Sequence, residues 1–144
     1  MAKTQKLKVV ARPEDFQKQH PDDAGFDLRL KETVVLYPGQ PSQLLGTGVR
    51  VQIPSNCVGL VVVRSSIGLR GIQITGSVGV IDSGYRGEIK IPLINHSSKP
   101  QTLFAGERVA QLLIVPLQPV KVEFVEELEA SERGEGGFGS TGQN

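Results

Sequence analysis

In the stretch Gly79-Val80-Ile81-Asp82-Ser83-Gly84-Tyr85-Arg86-Gly87-Glu88, an acid and an aromatic bracket a Ser-Gly pair. Apolar runs at 77–81 and 89–94 flank it. Two short β-branched runs around a Gly-containing turn predict a β-hairpin. Asp82 and Tyr85 then project from a tight tip where a small ring can press against bare backbone. An Asp at a bend can also simply start a turn by bonding its own backbone. Both readings stand on this stretch alone.

Working outward, apolar runs recur at 7–10, 26–30, 33–37, 44–45, 49–53, 58–63 and 72–74, then at 109–117 and 120–125. Turn signals such as Tyr37-Pro38-Gly39, Pro54-Ser55-Asn56, Lys99-Pro100 and Ala105-Gly106 separate them. That pattern predicts an all-β sandwich or barrel without a long helix. One short helix is expected near 66–70. At 144 residues the chain is expected to form one domain. Hydrophobic content of 38% with no Trp leaves room for oligomerisation to complete the core.

A net charge of +1 argues against a nucleic-acid surface, so affinity for phosphate has to come from a few placed cations. The single Cys57 excludes an internal disulfide and reads as a small buried hydrophobe. No apolar run approaches the ~18 residues of a membrane span, and the N-terminus lacks a secretory layout. A soluble, intracellular, cytoplasmic protein is expected. His20 and His96 have no second ligand at metal spacing, which argues against a zinc site.

Four further segments can carry chemistry. Arg64-Ser65-Ser66-Ile67-Gly68 follows an apolar strand and offers a guanidinium and hydroxyls suited to polyphosphate, or a solvated sheet edge. Asp23-Ala24-Gly25-Phe26-Asp27-Leu28 sets one acid in a loop and one in a strand, to orient water on a hard cation or to pair with an Arg. In Gly106-Glu107-Arg108-Val109-Ala110-Gln111-Leu112, strict alternation puts Val109, Gln111 and Leu113 on one face. Gln111 then needs a partner, from protein or ligand. The last fourteen residues, 131–144, include five Gly and a single aromatic, Phe138. Such a tail is either a disordered end or a phosphate-wrapping arm.

Together and in this order, the five segments resemble the motifs of the trimeric dUTPases. The resemblance spans residues 23–142, and its third and fifth motifs are the specific ones. It implies a jelly-roll-like β-fold, residues 1–130, with a Gly-rich arm, 131–144, assembled as a homotrimer with sites shared between subunits. It implies hydrolysis of dUTP to dUMP and pyrophosphate with Mg²⁺, which limits uracil in DNA and supplies dUMP for dTMP synthesis.

Carried over onto this chain, the resemblance makes Asp82 the base that activates water. Tyr85 packs on the deoxyribose. Gly76, Gly79, Val80 and Ile81, with the strand near Lys90, read uracil through backbone groups. Arg64, Ser65, Ser66 and Gln111 hold the phosphates, and Asp27 reaches Mg²⁺ through water. Phe138 covers the base, while Arg133, Gly139, Ser140 and Thr141 close on the phosphate end.

Val63 stands where that family commonly has Pro, and Ser66-Ile67 precede Gly68. The Arg-Ser-Ser form is also similar to dCTP deaminases. Their catalytic Glu would fall at Pro92, which cannot carry a proton. A nucleotide-sensing protein and a ligand-free structural oligomer remain as non-enzymatic alternatives.

Overall fold

A computed structural model describes residues 3–139. Its strands are β1 (Lys8–Val10), β2 (Phe26–Arg29), β3 (Val34–Leu36), β4 (Gln43–Gln52), β5 (Cys57–Val63), β6 (Ile72–Ile74), β7 (Gly79–Ile81), β8 (Glu88–Asn95), β9 (Gln101–Leu103) and β10 (Arg108–Pro116). They form two four-stranded antiparallel sheets, ordered β1-β4-β8-β6 and β2-β10-β5-β7, and a β3-β9 ribbon. The result is the expected all-β, jelly-roll-like sandwich. The short helix α1, Ser65–Gly68, starts one residue and ends two residues before the expected 66–70.

Alternation builds the core. Along β5, Cys57, Gly59 and Val61 are buried while their neighbours are half exposed. Along β8, Ile89, Ile91 and Leu93 have no exposed surface. They meet Leu28, Ile72, Leu103, Val109 and Leu112 between the layers. Each such side chain stabilises the fold by about 1.5–3 kcal/mol. Cys57 is buried, as its isolation in the sequence suggests.

The segments 44–45 and 49–53 are one strand, not two, because the Gly46-Thr47-Gly48 interruption is a bulge with its register shift between Gly46 and Arg50. Gly48 adopts φ +73°. The bulge's polar groups are satisfied locally: Gly48 N–H donates to Glu88 Oε2 at 2.8 Å, and the Thr47 hydroxyl donates to Ile89 O at 2.7 Å.

The expected hairpin is not one. β7 pairs with β5, Ile81 opposite Gly59, whereas β8 pairs with β4 and β6. Residues 82–87 therefore cross from one sheet to the other. Six residues are too many for a two-residue turn, and β5 offers β7 a full apolar edge. The run 120–125 forms no strand. The last strand ends at Pro116.

Candidate active site

The first cluster gathers on the outer face of the β2-β10-β5-β7 sheet. Gln111 sits directly opposite Asp27 on β2 and Val62 on β5, and the residue two beyond Val62 is Arg64. Cross-strand partners share a face, so Asp27, Gln111 and Arg64 converge. They line a cleft of about 450 Å³ together with Asp23, Ser65 and Arg108. Ser66, one residue further along α1, is exposed and lies outside its lining.

A bulge between Arg108 and Ala110 breaks the alternation that grouped Val109 with Gln111. Val109 turns into the core, and Gln111 keeps the outer face.

Asp27 is held between two guanidiniums, Arg64 Nε at 3.8 Å and Arg108 Nη1 at 3.3 Å. Arg64 is pinned further by its Nη1 donating to Arg108 O at 3.2 Å. The loop before β2 is fixed by Phe16 stacked on Phe26 at 4.7 Å. This brings Gln19 Oε1 to within 2.7 Å of Arg108 Nη1. A Cβ on Gly25 would lie 2.7 Å from Gln111 Oε1 and 3.1 Å from its Cβ, so a side chain there would displace Gln111 from its present position. Arg108 and Gln19 belong to this cluster although sequence reasoning did not single them out. The signal available for Arg108 was its place in the same segment as Gln111.

The second cluster surrounds the crossover. Asp82 and Tyr85 are both exposed at its bend, closed by Tyr85 N–H donating to Asp82 O at 3.1 Å. The Tyr85 hydroxyl donates to Glu88 O at 2.8 Å and its ring lies over Gly87. Upstream, Thr75 N–H donates to Pro92 O at 2.9 Å, after which the legs diverge. Gly76 and Ser77 adopt φ +83° and +73°. The Val78 N–H donates back to Gly76 O at 2.9 Å, a γ-turn that is rare with positive φ. Such strain collects at functional sites. The Ser42 and Thr75 hydroxyls bond each other and brace this turn.

β7 is an edge strand, and β8 meets β6 only at residues 93–95. Among the described residues no backbone bond joins β7 to β8. In an antiparallel pair alternate residues turn their peptide groups away from the partner, so the β7 edge at 79–81 and the β8 edge near Lys90 each keep some peptide groups without a sheet partner. Such groups need a partner from water or ligand. Lys90 itself is exposed, opposite Gly46.

Asp82 and Arg64 are not brought together. Ile81 faces Gly59, and Arg64 lies five residues beyond Gly59, so strand rise separates the clusters by about 17–20 Å. In the tail, Arg133 Nε donates to Gly136 O at 2.6 Å and Phe138 is fully exposed. Gly139 has φ +82°. Ser140 and Thr141 lie outside the described residues.

The fold is thus an all-β sandwich with an acid-bearing crossover between its two sheets and an Arg–Asp–Gln cleft on the outer face of one of them. The profile of the dUTPase family matches residues 12–142, and the chain belongs to that family. It is 46% identical over 137 residues to deoxyuridine 5'-triphosphate nucleotidohydrolase of Cutibacterium acnes (strain DSM 16379 / KPA171202), covering 93% of this chain and 90% of that one. It is 40% identical over 141 residues to the protein of the same name from Clostridium tetani (strain Massachusetts / E88), covering 95% and 97%. Among solved structures it superimposes on Staphylococcus bacteriophage 80alpha dUTPase with dUPNHPP. That TM-score is 0.81 at 33% identity, covering 97% of this chain and all of the other. A D95N mutant dUTPase of phage phi11, TM-score 0.77 and 29% identity over 88% of this chain and all of that one, is described with a structural Mg(II) ion.

No helix among the described residues is long and apolar enough to cross a membrane.

Proposed function

We propose that this chain hydrolyses dUTP to dUMP and pyrophosphate, the reaction named in its relatives. The observation that carries the reading is the fork where β7, an edge strand, and β8 part without bonding each other, ending in exposed Asp82 and Tyr85. Uracil and cytosine exchange donor and acceptor along one edge, so fixed peptide groups separate them by ~10⁴ or more. Tyr85, held over Gly87, forms a platform for the sugar that leaves no room for a 2′-hydroxyl.

Asp82 accepts a proton from water as its oxygen bonds to the α-phosphorus. The bond from that phosphorus to the bridging oxygen breaks, and pyrophosphate leaves. Arg64, Ser65, Ser66 and Gln111 neutralise and orient the phosphates, which supplies most of what phosphoryl chemistry asks of a protein.

The distance between the two clusters supports a shared site. The phosphates follow one another within a few ångströms, so Asp82 of one chain needs the Arg64 cleft of another. This favours the homotrimer with interfacial sites. The arm of residues 131–144 then closes over substrate with Arg133, Phe138, Gly139, Ser140 and Thr141, while the body up to residue 130 holds the rest.

Mg²⁺ fits only in company with the nucleotide. Among the described residues no group of three His, Cys, Asp or Glu could hold a metal. Asp27, flanked by two guanidiniums, suits a bond to a metal's water better than direct ligation. When bound, the ion would neutralise phosphate charge, with Asp27 orienting its water.

Deamination of dCTP is disfavoured by Pro92, which sits in β8 opposite Leu44 and carries no titratable group. The test is release of pyrophosphate from dUTP with Mg²⁺ by wild type and Asp82→Asn. The variant should bind dUTP normally and turn over ~10²–10⁴-fold more slowly. Undiminished turnover, or ammonia from dCTP, would sink the assignment.

A further inference from the structure

Among the described residues, one buried side-chain oxygen lacks a hydrogen bond: Glu107 Oε2. A carboxylate oxygen shut off from water needs a cation nearby. Arg70 answers it, with Nη1 at 3.6 Å. Each residue adjoins a wall of the Arg64–Gln111 cleft. Arg70 lies just past α1, and Glu107 stands next to Arg108.

The rest of the Arg70 guanidinium is also engaged. Its Nε donates to Gln101 Oε1 at 3.1 Å and its Nη2 to Thr102 O at 3.1 Å. Gln101 returns the contact, its Nε2 donating to Arg70 O at 3.3 Å and to Ser97 Oγ at 3.2 Å. A planar fork reaching three partners in fixed directions is a task for arginine rather than lysine. With side chains 35% and 29% exposed, the Arg70–Glu107 pair adds little to stability by itself. What it joins is more informative.

α1 is four residues long, too short to hold itself together. Its entry is tied to β10, since Arg64 N–H donates to Val109 O at 3.0 Å and Arg64 Nη1 to Arg108 O at 3.2 Å. Past its exit, Gly71 O accepts from His96 N–H at 2.8 Å, a tie to the end of the β8 strand. Arg70 supplies the link from that exit to the turn ahead of β10. The turn is fixed on its other side by Glu107 N–H donating to Phe104 O at 3.0 Å and Leu30 N–H donating to Glu107 O at 3.1 Å. Leu30 directly follows β2. Glu107 therefore stands where α1, β2 and β10 meet, the elements that supply Ser65, Asp27 and Gln111 to the cleft.

We infer that Arg70 is a positioning residue for this cleft, acting through Glu107. Neither residue lines the cleft itself. Their clasp holds α1 at a set distance from the Arg108–Gln111 wall, so that Arg64 and Ser65 meet the phosphates together with Gln111. The inference rests on the phosphate role proposed above for the cleft. Without Arg70, Glu107 Oε2 is a buried carboxylate oxygen with no partner, an arrangement that proteins avoid. The carboxylate then turns toward water and takes the turn beside Arg108 with it. α1, fastened at one point fewer, drifts from β10.

The test compares full-length wild type with Arg70→Gln for binding of a non-hydrolysable dUTP analogue and of dUMP. The analogue needs the whole cleft, whereas dUMP is held mainly by the fork. Analogue affinity and KM for dUTP should worsen by about ten- to a hundredfold, the scale on which a small misplacement of binding groups acts. Among the described residues Arg70 bonds no part of the fork, so dUMP affinity and the preference over UTP and dCTP should match wild type. Equal loss of both ligands marks a general loosening and overturns the proposal, as does unchanged analogue affinity. Arg70→Lys keeps a charge beside Glu107 without the bonds to Gln101 and Thr102, and should fall between the two. It carries the same comparison if Arg70→Gln does not fold.

Glu107→Ala alone should weaken analogue binding on the same scale, and adding it to Arg70→Gln should change nothing further, because two residues in one link are not additive. A full second loss overturns the route through Glu107. Amide exchange is read separately at Gly68 and Leu69, whose N–H groups donate to Arg64 O and Ser65 O within α1. It should speed several-fold in Arg70→Gln, and unchanged exchange overturns the clasp. A wild type that releases no pyrophosphate from dUTP would overturn the proposed activity. Faster exchange and weaker binding of inorganic triphosphate by Arg70→Gln would still support the positioning role.

Discussion

Gly87→Ala tests the sugar platform without touching the residue that forms it. A Cβ on Gly87 would lie 2.7 Å from Tyr85 Cζ and 3.0 Å from Cε1. Carbon atoms rest at about 3.5–4.0 Å, so the ring must retreat by roughly an ångström. The backbone of residue 87 lies outside the left-handed region, so Ala adds no torsional strain there. Moving the ring breaks the Tyr85 hydroxyl bond to Glu88 O, worth about 0.5–1.5 kcal/mol. At roughly 2–4 °C per kcal/mol for a domain near this size, Tm should fall by only a few degrees. Specificity should suffer more. Relaxing a shape filter of this kind changes discrimination by about 10–200-fold, so the kcat/KM ratio for dUTP over UTP should drop on that scale. Initial rates of pyrophosphate release from both nucleotides give the answer. A variant that folds, keeps its Tm within a few degrees and still rejects UTP as wild type does refutes the idea that Tyr85 packed on Gly87 screens the sugar.

Gly59→Ala would set a methyl 2.6 Å from Ile53 Cδ1 and 3.0 Å from Leu112 Cδ1. It should cost about 1–3 kcal/mol by urea denaturation, and an unchanged midpoint would show the layers to be looser than drawn. Thr75→Val removes the hydroxyl pair with Ser42. It should erode the preference for dUTP over dCTP several-fold while Tm stays within a few degrees, and an intact preference would free the γ-turn from that brace. Ending the chain after Ala130 should leave a folded oligomer with poor turnover, and full activity in the shortened protein would strip the arm of its role.

The sandwich could be read from the sequence because half-buried strands advertise themselves by alternation, as β5 and β8 do. What misled was connectivity. A hairpin and a crossover have the same local pattern, apolar run, Gly-rich bend, apolar run. Only the competition for an edge on β5, a non-local fact, decides between them. The β4 bulge was hidden for a related reason: Gly46 and Gly48 look like a break unless one knows that Glu88 is there to hold the Gly48 N–H. β9, with Gln101-Thr102-Leu103 as its whole length, is too short to show a period. The members of the Asp27–Gln111 cleft were named from their motifs. Their convergence, and the inclusion of Arg108 and Gln19, depended on a strand register that no single segment encodes.

The crossover of residues 82–87 also bears on how such a chain tolerates change. A hairpin tip would ride as one body with its own sheet, insulated from events between the layers. Here one leg of the bend travels with β5 and the other with β4, so any drift that shears one layer against the other arrives at a carboxylate. With Asp82 as the proposed base, substitutions deep in the interior that spare folding should still register in turnover.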